Sequence, residues 1–287
     1  MASFGMIVHH DRIQAAELAR DAATWLADRG HEVRLPLDDA GVAGLPELGF
    51  PEAAFARGLD VAISLGGDGT MLRTVDMVAS EAVPVIGINV GQLGYLTEVE
   101  PDGLRMALKR FLAGAYDIEE RMLLDVTVTA RSPAFESDGG YLALNEAVLE
   151  KTPMGHTVRL GVSIDGEFFT SYAADGLITA TPTGSTAYAF SARGPIVAPT
   201  HRCLLLTPVS PHMLFDRTLV LDPSALLRIE VFGDRPATLS VDGRNLGTLE
   251  EGDAVTCTAA PDAARLVTFG RRDFLRILKS KFGLTDR

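Results

Sequence analysis

One stretch decides the fold of this chain: Val61-Ala62-Ile63-Ser64-Leu65 followed by Gly66-Gly67-Asp68-Gly69-Thr70. The first half is mostly apolar and β-prone, which predicts a buried strand. The glycines of the second half end the strand, because they permit a tight turn and let a ligand approach the backbone closely. Apolar residues then recur at helical spacing, namely Met71, Leu72, Val75, Val78 and Ala79. The stretch therefore predicts a strand, a glycine turn and a helix.

This turn is predicted to bind a phosphate group. The first N–H groups of a helix have no partner within the helix, so they favour an anion. A carboxylate at Asp68 should repel a phosphate, and its presence makes sense if Asp68 acts on a hydroxyl beside the phosphate. The alternative is that Asp68 only caps the helix.

The first part of the chain shows alternating strands and helices. Strands are predicted over 4–8, 31–35, 61–65 and 84–90, with helices over 13–28 and after the glycine turn. Residues 38–52 are rich in Gly, Pro and Asp and are predicted to be a loop. The helix over 13–28 should bury Ile13, Ala16, Ala19, Ala23 and Leu26. This order predicts a parallel sheet with helices on its faces, and ligands at the carboxyl ends of its strands. The turn Asn89–Gly94 follows the next strand and could wall the same crevice.

The periodicity changes after a helix predicted over 102–113. Alternating apolar and polar residues predict strands over 124–129 and 158–165. A hairpin turn then leads into a strand over 167–172, and further β-like runs cover 203–207, 227–232, 237–241 and 254–258. Asp165-Gly166 and Asp242-Gly243 are hairpin signals. We therefore predict an α/β N-terminal domain, residues 1–100, plus a β-rich, β-sandwich-like C-terminal domain, residues 101–267. A last helix within 268–287 should pack back on the first domain.

Composition limits the classes of partner. The 287 residues carry 26 Lys and Arg against 38 Asp and Glu, a net charge of −12. Such a balance argues against nucleic acid or an anionic membrane as the main partner. Cys203 and Cys257 form no metal-binding pattern, and we see neither a signal peptide nor a membrane-spanning stretch, so we expect a cytoplasmic chain. His9-His10-Asp11 suggests a metal site, but adjacent side chains diverge.

Two polar clusters interrupt the β-rich part. Asn145-Glu146 breaks a strand that otherwise has the composition of a buried one; Asn can donate and accept, and Glu can accept from two ribose hydroxyls. The pair could also be a structural kink. The run from Asp175 to Tyr188 combines Gly, Pro, small hydroxyl residues and an aromatic ring, which suits a nucleotide. It could also be a well-capped helix start.

Several common motifs are absent from the sequence. There is no GxxxxGK[ST] loop, no GxGxxG fingerprint and no GxSxG elbow. A P-loop kinase or a Rossmann dehydrogenase is therefore disfavoured.

Together the motifs resemble those of the NAD kinases. The matching segments are Gly66–Thr70, Gly87–Leu96, Asn145-Glu146, Asp175–Ser191, Pro208–His212 and Ser240–Gly243, in order over nearly the whole chain. The glycine turn alone also resembles diacylglycerol kinases, sphingosine kinases and phosphofructokinases. Asn145-Glu146 combined with Thr181–Tyr188 is more specific.

The resemblance implies transfer of the γ-phosphoryl group of ATP to the 2′-hydroxyl of the adenosine ribose of NAD, giving NADP. It implies that Asp68 is the proton acceptor. It assigns ATP phosphate binding to Gly66, Gly67, Gly69, Thr70 and Arg73. It assigns NAD binding to Asp68, Gly69, Asn145, Glu146, His156, Asp175, Thr183, Thr186, Ala187, Tyr188, Ser191 and Arg244. Ala173 lies where some members of the family contact the ligand.

The resemblance also implies partners and cofactors. Mg²⁺ should arrive with ATP rather than in a protein metal site, and polyphosphate is an alternative donor. Family members are usually homodimers or homotetramers. Arg193 and Arg244 stand where Gly and Gln are frequent in the family, and both add positive charge.

Two other functions remain open from the sequence. A lipid kinase would share the glycine turn but should lack Asn145-Glu146 and the Thr181–Tyr188 run. A non-catalytic dinucleotide sensor would be expected to lose the carboxylate of Asp68.

Overall fold

The computed structural model of the chain describes residues 1–91, 94–130, 140–152, 156–270 and 273–284. The chain forms two units, Met1–Glu120 with Asp262–Arg287, and Arg121–Pro261. The sequence-based boundaries lie at residues 100 and 267, whereas the units divide after Glu120 and Pro261. The helix predicted over 102–113 therefore belongs to the first unit.

The first unit is an α/β domain with a parallel sheet. Its elements are β1 (Ser3–Val8), α1 (Ile13–Ala27), β2 (Glu32–Pro36), α2 (Leu37–Ala43), β3 (Gly49–Phe50), α3 (Glu52–Phe55), β4 (Val61–Gly66), α4 (Asp68–Val78), β5 (Val85–Asn89) and α5 (Leu104–Leu112). The strands lie in the order β5-β4-β1-β2-β3, all parallel. Every residue of β1, β4 and β5 is buried, as expected for central strands covered on both faces. The predicted α/β fold is confirmed.

Helix α1 covers this sheet with a face of small residues. Ala16, Ala19, Ala23 and Leu26 are buried as predicted, and all but Ala16 belong to the core cluster of this unit. The prediction for Ile13 was wrong, because its side chain is 78% exposed. Ile13 is the first residue of α1, where the chain has only just entered the helix.

The prediction of a loop over 38–52 was also wrong. Helix α2 follows Pro36 directly and ends at Gly44, which has the left-handed φ of 69° common after a helix. Asp39, which favoured a loop in the sequence, is fully buried and bonded to β1. A tertiary contact therefore overrides the local propensity of this segment.

The second unit is β-rich. Together with the strands that connect it to the first unit, its elements are β6 (Asp117–Thr129), β7 (Tyr141–Ala143), β8 (Glu146–Lys151), β9 (Val158–Ile164), β10 (Glu167–Ala174), β11 (Gly176–Ala180), α6 (Tyr188–Ser191), β12 (Leu204–Val209), β13 (Leu219–Leu221), β14 (Leu227–Phe232), β15 (Ala237–Val241), β16 (Arg244–Leu249) and β17 (Ala254–Thr268). Helix α7 (Phe274–Lys281) then returns to the first unit.

Two antiparallel sheets build this unit. One has the order β10-β9-β14-β17 and the other β13-β12-β11-β8-β15-β16. Side chains from both contribute to one core, for example Leu149 and Leu177 from the second sheet and Leu160 and Ile229 from the first. The β-rich domain predicted from alternating residues is confirmed.

Both predicted hairpin turns are present. Asp165-Gly166 joins β9 to β10 with φ values of 53° and 87°, and Asp242-Gly243 joins β15 to β16 with 47° and 80°. Two successive positive φ values match the type I′ turn that suits the twist of paired strands. Among the described residues, no helix is both long and apolar enough to cross a bilayer.

Candidate active site

A pocket of about 480 Å³ lies in the first unit, at the carboxyl ends of β1 and β4. Its lining includes Val8, His9, His10, Arg12, Gly67, Asp68, Gly69, Thr70, Arg73, Gly94 and Lys281. The predicted phosphate-binding turn is therefore part of a concave site. The second predicted turn contributes Gly94, while its Gln92 and Leu93 lie outside the described residues.

Asp68 faces the pocket but does not cap α4. The N-cap is Gly67, and no side chain makes a cap hydrogen bond there. The carboxylate of Asp68 instead accepts the backbone N–H groups of Tyr95 (2.8 Å) and Leu96 (3.0 Å). The capping alternative is thus wrong, because both oxygens of Asp68 are directed to another segment of chain.

Close approach explains two of the glycines around this carboxylate. A Cβ on Gly94 would lie 2.0 Å from Asp68 Oδ1, and a Cβ on Gly66 would lie 2.1 Å from Thr70 Oγ1. By contrast, a Cβ on Gly67 or Gly69 would meet no atom within 4 Å. The backbone at these two positions is open to a ligand, as expected for a turn that binds phosphate.

Arg73 is already engaged by a buried carboxylate. Its guanidinium donates to both oxygens of Asp39, at 2.9 and 2.6 Å, and to the carbonyl of Val8 at 3.0 Å. Asp39 also accepts the N–H of Val8 and lies 2.9 Å from His10 Nε2. The geometry shows Arg73 as a link between α4, α2 and β1. Its binding of ATP phosphates stays a prediction.

Two further cations line the pocket, and sequence reasoning missed both. Arg12 follows β1, and its Nη1 atom is buried with no hydrogen-bond partner among the described residues. Lys281 comes from α7, and its Nζ lies 4.4 Å from the centre of the Tyr95 ring. The position of Arg12 just beyond the first strand could have indicated that it lines the pocket, because carboxyl ends of parallel strands form the ligand edge.

In the second unit, Asn145-Glu146 is held by hydrogen bonds from two segments. The carboxylate of Asp242 accepts the N–H groups of Leu144 (2.7 Å), Asn145 (2.9 Å) and Glu146 (3.0 Å). From the other segment, Thr181 donates its hydroxyl to the carbonyl of Leu144 and its N–H to that of Asn145. The chain bends at residues 144 and 145 and is held there by these hydrogen bonds, and the binding of adenosine and ribose by the dipeptide stays a prediction.

Glu146 has a strongly perturbed acidity. Its side chain is buried, and burial first, then the nearby charge of Asp242, raise the pKa of Glu146 to about 8. The N–H of Tyr188 donates to this carboxyl and opposes the shift. Its Oε2 atom is buried with no hydrogen-bond partner among the described residues. A buried acceptor with perturbed pKa in a polar cluster is typical of a binding site.

Asp175 and Tyr188 line a second pocket in this unit, of about 370 Å³, together with Glu150, Lys151 and Asn245. Lys151 donates to Asp175 at 2.7 Å. Burial, then the charges of Glu150, Asp175 and Glu146, raise the pKa of the Tyr188 hydroxyl. Tyr188 thus connects the environment of this pocket with that of Glu146.

The remaining predicted residues either belong to the segment 183–191 or are exposed. Thr183 is buried and accepts from Arg121 at 3.3 Å, and Thr186 donates to the carbonyl of Thr183. Ala187 is the N-cap of α6, which ends at Ser191. His156 and Arg244 are exposed and are not among the lining of the second pocket. The guanidinium of Arg244 lies 5.9 Å from the centre of the Tyr141 ring.

Family models cover both parts of the chain. The ATP-NAD kinase N-terminal domain matches residues 4–116, and the ATP-NAD kinase C-terminal domain matches residues 144–269. The chain belongs to the ATP-NAD kinase family. Since both domain models match, the resemblance to NAD kinases drawn from the motifs is confirmed, and the lipid kinase alternative is wrong.

Individual members of the ATP-NAD kinase family are similar over the full length. The NAD kinase of Heliobacterium modesticaldum is 41% identical over 283 residues, an alignment that covers 98% of each chain. A yeast NADH kinase solved in complex with NADH has a TM-score of 0.90 at 26% identity, covering 100% of this chain and 89% of that one. An Archaeoglobus fulgidus NAD kinase solved in complex with ATP has a TM-score of 0.73 at 24% identity and covers 99% of both chains, which supports the fold alone.

Proposed function

We propose that this chain is an NAD kinase, which transfers the γ-phosphoryl group of ATP to the 2′-hydroxyl of the adenosine ribose of NAD and releases NADP and ADP. One observation carries the proposal. In a chain that matches both ATP-NAD kinase domains, the carboxylate of Asp68 lies in the same pocket as the open backbone of Gly67 and Gly69. Phosphoryl transfer requires this combination of a phosphate cradle and a group that orients the attacking hydroxyl.

On the donor side, the glycine turn and Thr70 hold the phosphates and Asp68 is the base. Asp68 accepts a hydrogen bond from the 2′-hydroxyl, which orients the oxygen toward the γ-phosphorus, and then takes its proton. Two N–H groups already fix the carboxylate, and each of its oxygens has a lone pair left to accept another bond. Arg12, Arg73 and Lys281 bring positive charge to a pocket in a chain of net charge −12.

Divalent metal fits this pocket as an ion that is carried by ATP. Among the described residues, no group of three or more His, Cys, Asp or Glu could hold a metal ion. Protein-bound Mg²⁺ commonly has one or two carboxylate ligands and takes its other ligands from substrate phosphates and water. In this pocket the phosphates of ATP and water would supply the ligands, since Asp68 is assigned to the 2′-hydroxyl. When bound, Mg²⁺ neutralises phosphate charge during transfer.

On the acceptor side, Asn145 and Glu146 hold adenosine and its ribose. The unpaired Oε2 of Glu146 is an acceptor for ribose hydroxyls, and Asn145 offers both a donor and an acceptor. Asp175 and the segment from Thr183 to Ser191, which includes Tyr188, hold the rest of the dinucleotide. We keep His156 and Arg244 as peripheral contacts, since both are exposed.

We further propose that the enzyme is cytoplasmic and forms a homodimer or homotetramer through its β-rich unit. The proposed assembly is supported by two exposed aromatic side chains on the edge strand β10. Phe168 is 62% exposed and Phe169 is 44% exposed on this strand, and exposed apolar side chains that lie together can mark an interaction site.

The direct test uses the purified chain with NAD, ATP and MgCl₂. We expect NADP to form, the reaction to stop when excess chelator is added, and diacylglycerol to remain unphosphorylated. Polyphosphate is tested as the donor in a parallel reaction. NAD binding without any NADP formation would favour the non-catalytic sensor instead.

The acceptor assignment has its own test in Asn145→Ala. The KM for NAD should rise more than the KM for ATP, because Asn145 is assigned to adenosine of the acceptor. An effect confined to the KM for ATP would reverse the assignment.

A further inference from the structure

We propose that Asp242 is a positioning residue of the acceptor site, which holds the backbone of Asn145 and Glu146 in the shape that receives the adenosine ribose. The inference rests on the proposed function, because it assumes that this dipeptide binds NAD. Asp242 lies in a hairpin far from the dipeptide in sequence, and 97 positions separate it from Asn145.

The geometry is a clamp with bonds in both directions. Three consecutive N–H groups, from Leu144 to Glu146, donate to the two oxygens of Asp242 at 2.7–3.0 Å. In return, the N–H of Asp242 donates to the carbonyl of Glu146 at 3.0 Å. A carboxylate that accepts several N–H bonds makes stronger hydrogen bonds than a neutral acceptor, so it fixes the path of this segment.

A turn alone does not require this arrangement. Asp242 has a φ of 47°, a left-handed conformation that Gly, Asn and Asp adopt more readily than other residues, so the turn by itself would accept Gly or Asn as well. Its charge also lies close enough to Glu146 to raise the pKa of that residue. The hydrogen bonds from the dipeptide to the carboxylate offset the unfavourable interaction between Asp242 and Glu146, and a glycine in the same turn could not accept them.

The second hairpin of the same kind provides a matched control. Asp165 has a φ of 53°, is followed by glycine and accepts one N–H, that of Leu226, at 2.8 Å. It thus shares turn type, residue type and a backbone hydrogen bond with Asp242. Among the described residues, Asp165 makes no hydrogen bond to Asn145 or Glu146.

Acidity provides a readout that a purely structural role would not change. The groups that face Glu146 are the Asp242 carboxylate from the β15–β16 hairpin and Tyr188 from α6. If the ionised Glu146 accepts ribose hydroxyls, the KM for NAD should fall as the pH rises through the pKa of Glu146. Removal of the Asp242 charge lowers that pKa, so the midpoint of the profile should move to lower pH.

The experiment compares Asp242→Asn, Asp242→Glu and the control Asp165→Asn with the unchanged enzyme. KM values for NAD and ATP are measured across the pH range. Above the midpoint, Asp242→Asn should raise the KM for NAD roughly tenfold, because all three N–H groups lose a charged acceptor and at least one of them faces the NH₂ group, which cannot accept. The KM for ATP should stay unchanged, and the midpoint should fall. Asp242→Glu keeps the charge but displaces it, so the KM for NAD should rise while the midpoint falls less than in Asp242→Asn.

The outcomes separate this inference from the proposed function. If Asn145→Ala leaves the KM for NAD unchanged, the acceptor assignment itself fails. If Asn145→Ala raises it but folded Asp242→Asn behaves like Asp165→Asn, the positioning role of Asp242 is overturned. Should Asp242→Asn fail to fold, Asp242→Glu decides alone: an unchanged KM for NAD contradicts the clamp.

Discussion

At the scale of single residues, the carboxylates of this protein act through backbone N–H groups of distant segments. Asp68 holds Tyr95 and Leu96, and Asp242 holds the segment from Leu144 to Glu146. Each carboxylate thus both shapes the chain around it and carries charge at a candidate site. A substitution of Asp68 or Asp242 therefore changes both the local backbone conformation and the charge at the candidate site.

The first prediction concerns Asp68→Asn. An amide has one acceptor oxygen, so its NH₂ group would face the N–H of either Tyr95 or Leu96. We expect a folded protein with a slightly displaced Tyr95–Leu96 segment and a kcat lower by about 10²–10⁴-fold, the usual contribution of a positioned base. The measurement is kcat at saturating NAD and ATP, with circular dichroism to verify folding.

Gly94→Ala is the companion variant for Asp68. Its added Cβ displaces the carboxylate without removing it, so kcat should also fall. A well-folded Asp68→Asn enzyme with near-normal kcat would show that Asp68 has only a structural role.

The second prediction concerns Arg12, whose buried Nη1 has no partner among the described residues. If it binds a phosphate of ATP, Arg12→Gln should raise the KM for ATP roughly tenfold or more, since hydrogen bonds to charged groups contribute about 1.5–3 kcal/mol. Arg12→Lys should recover part of the loss through its charge. The KM for NAD serves as the internal reference.

Arg29→Gln is the matched control for Arg12, because Arg29 stacks on Trp25 and is not among the pocket lining. Equal effects of the two substitutions on the KM for ATP would exclude a direct contact of Arg12 with the donor.

At the scale of elements, strand β8 begins with Glu146, whose pKa differs between the folded and the unfolded chain. The pKa of Glu146 is about 8 in the folded protein against 4.5 for the unperturbed side chain. The folded state therefore holds this proton over a pH range in which the unfolded chain has lost it. The stability that this provides is fully present below the unfolded pKa and is lost as the pH rises toward the folded one.

The third prediction follows for Glu146→Gln. The free energy of unfolding of the unchanged protein should decrease as the pH rises from about 4.5 to 8, and the variant should show a weaker decrease. Denaturant titrations at several pH values measure the difference. Glu150→Gln removes another carboxylate from β8 and is the control. Parallel pH profiles for Glu146→Gln and the unchanged protein would contradict a raised pKa.

At the scale of the whole molecule, the proposed assembly rests on the exposed aromatic residues of the second unit. The rings of Phe169 and Phe215 contact edge to face with centres 5.9 Å apart, and the ring of Phe168 stacks on that of Phe232 with centres 6.3 Å apart. They lie on or beside β10, an edge strand of its sheet. An edge strand with exposed aromatic side chains is a surface on which a second chain can pack.

The fourth prediction is that light scattering finds a dimer or tetramer and that Phe169→Asp shifts it to smaller species. A charge on this surface would have to be desolvated in an interface. Val220→Asp, on the edge strand β13 of the other sheet, places a charge on a side chain that is 58% exposed and should leave the assembly unchanged. A fully active monomer of the unchanged protein would refute the proposed assembly.

The accuracy of prediction from the sequence differs between elements for physical reasons. The strands over 227–232 and 237–241 were predicted at their observed bounds, because period-two alternation reports burial on one face directly. Helix α2 was missed, because its Asp and Gly residues favour loops in isolation. Its Asp39 is buried through bonds to Val8 and Arg73, which lie 31 and 34 positions away.

By itself, the sequence determined the α/β and β-rich fold classes, the glycine turn, both hairpins and the family, since these depend on local spacing and residue type. Only the tertiary structure decided what the motif side chains contact. The partners of Asp68 lie 27 and 28 positions away, and those of Asp242 lie 96 to 98 away. Such contacts leave no periodic pattern in a single sequence, because they depend on which strand ends the folded chain brings together.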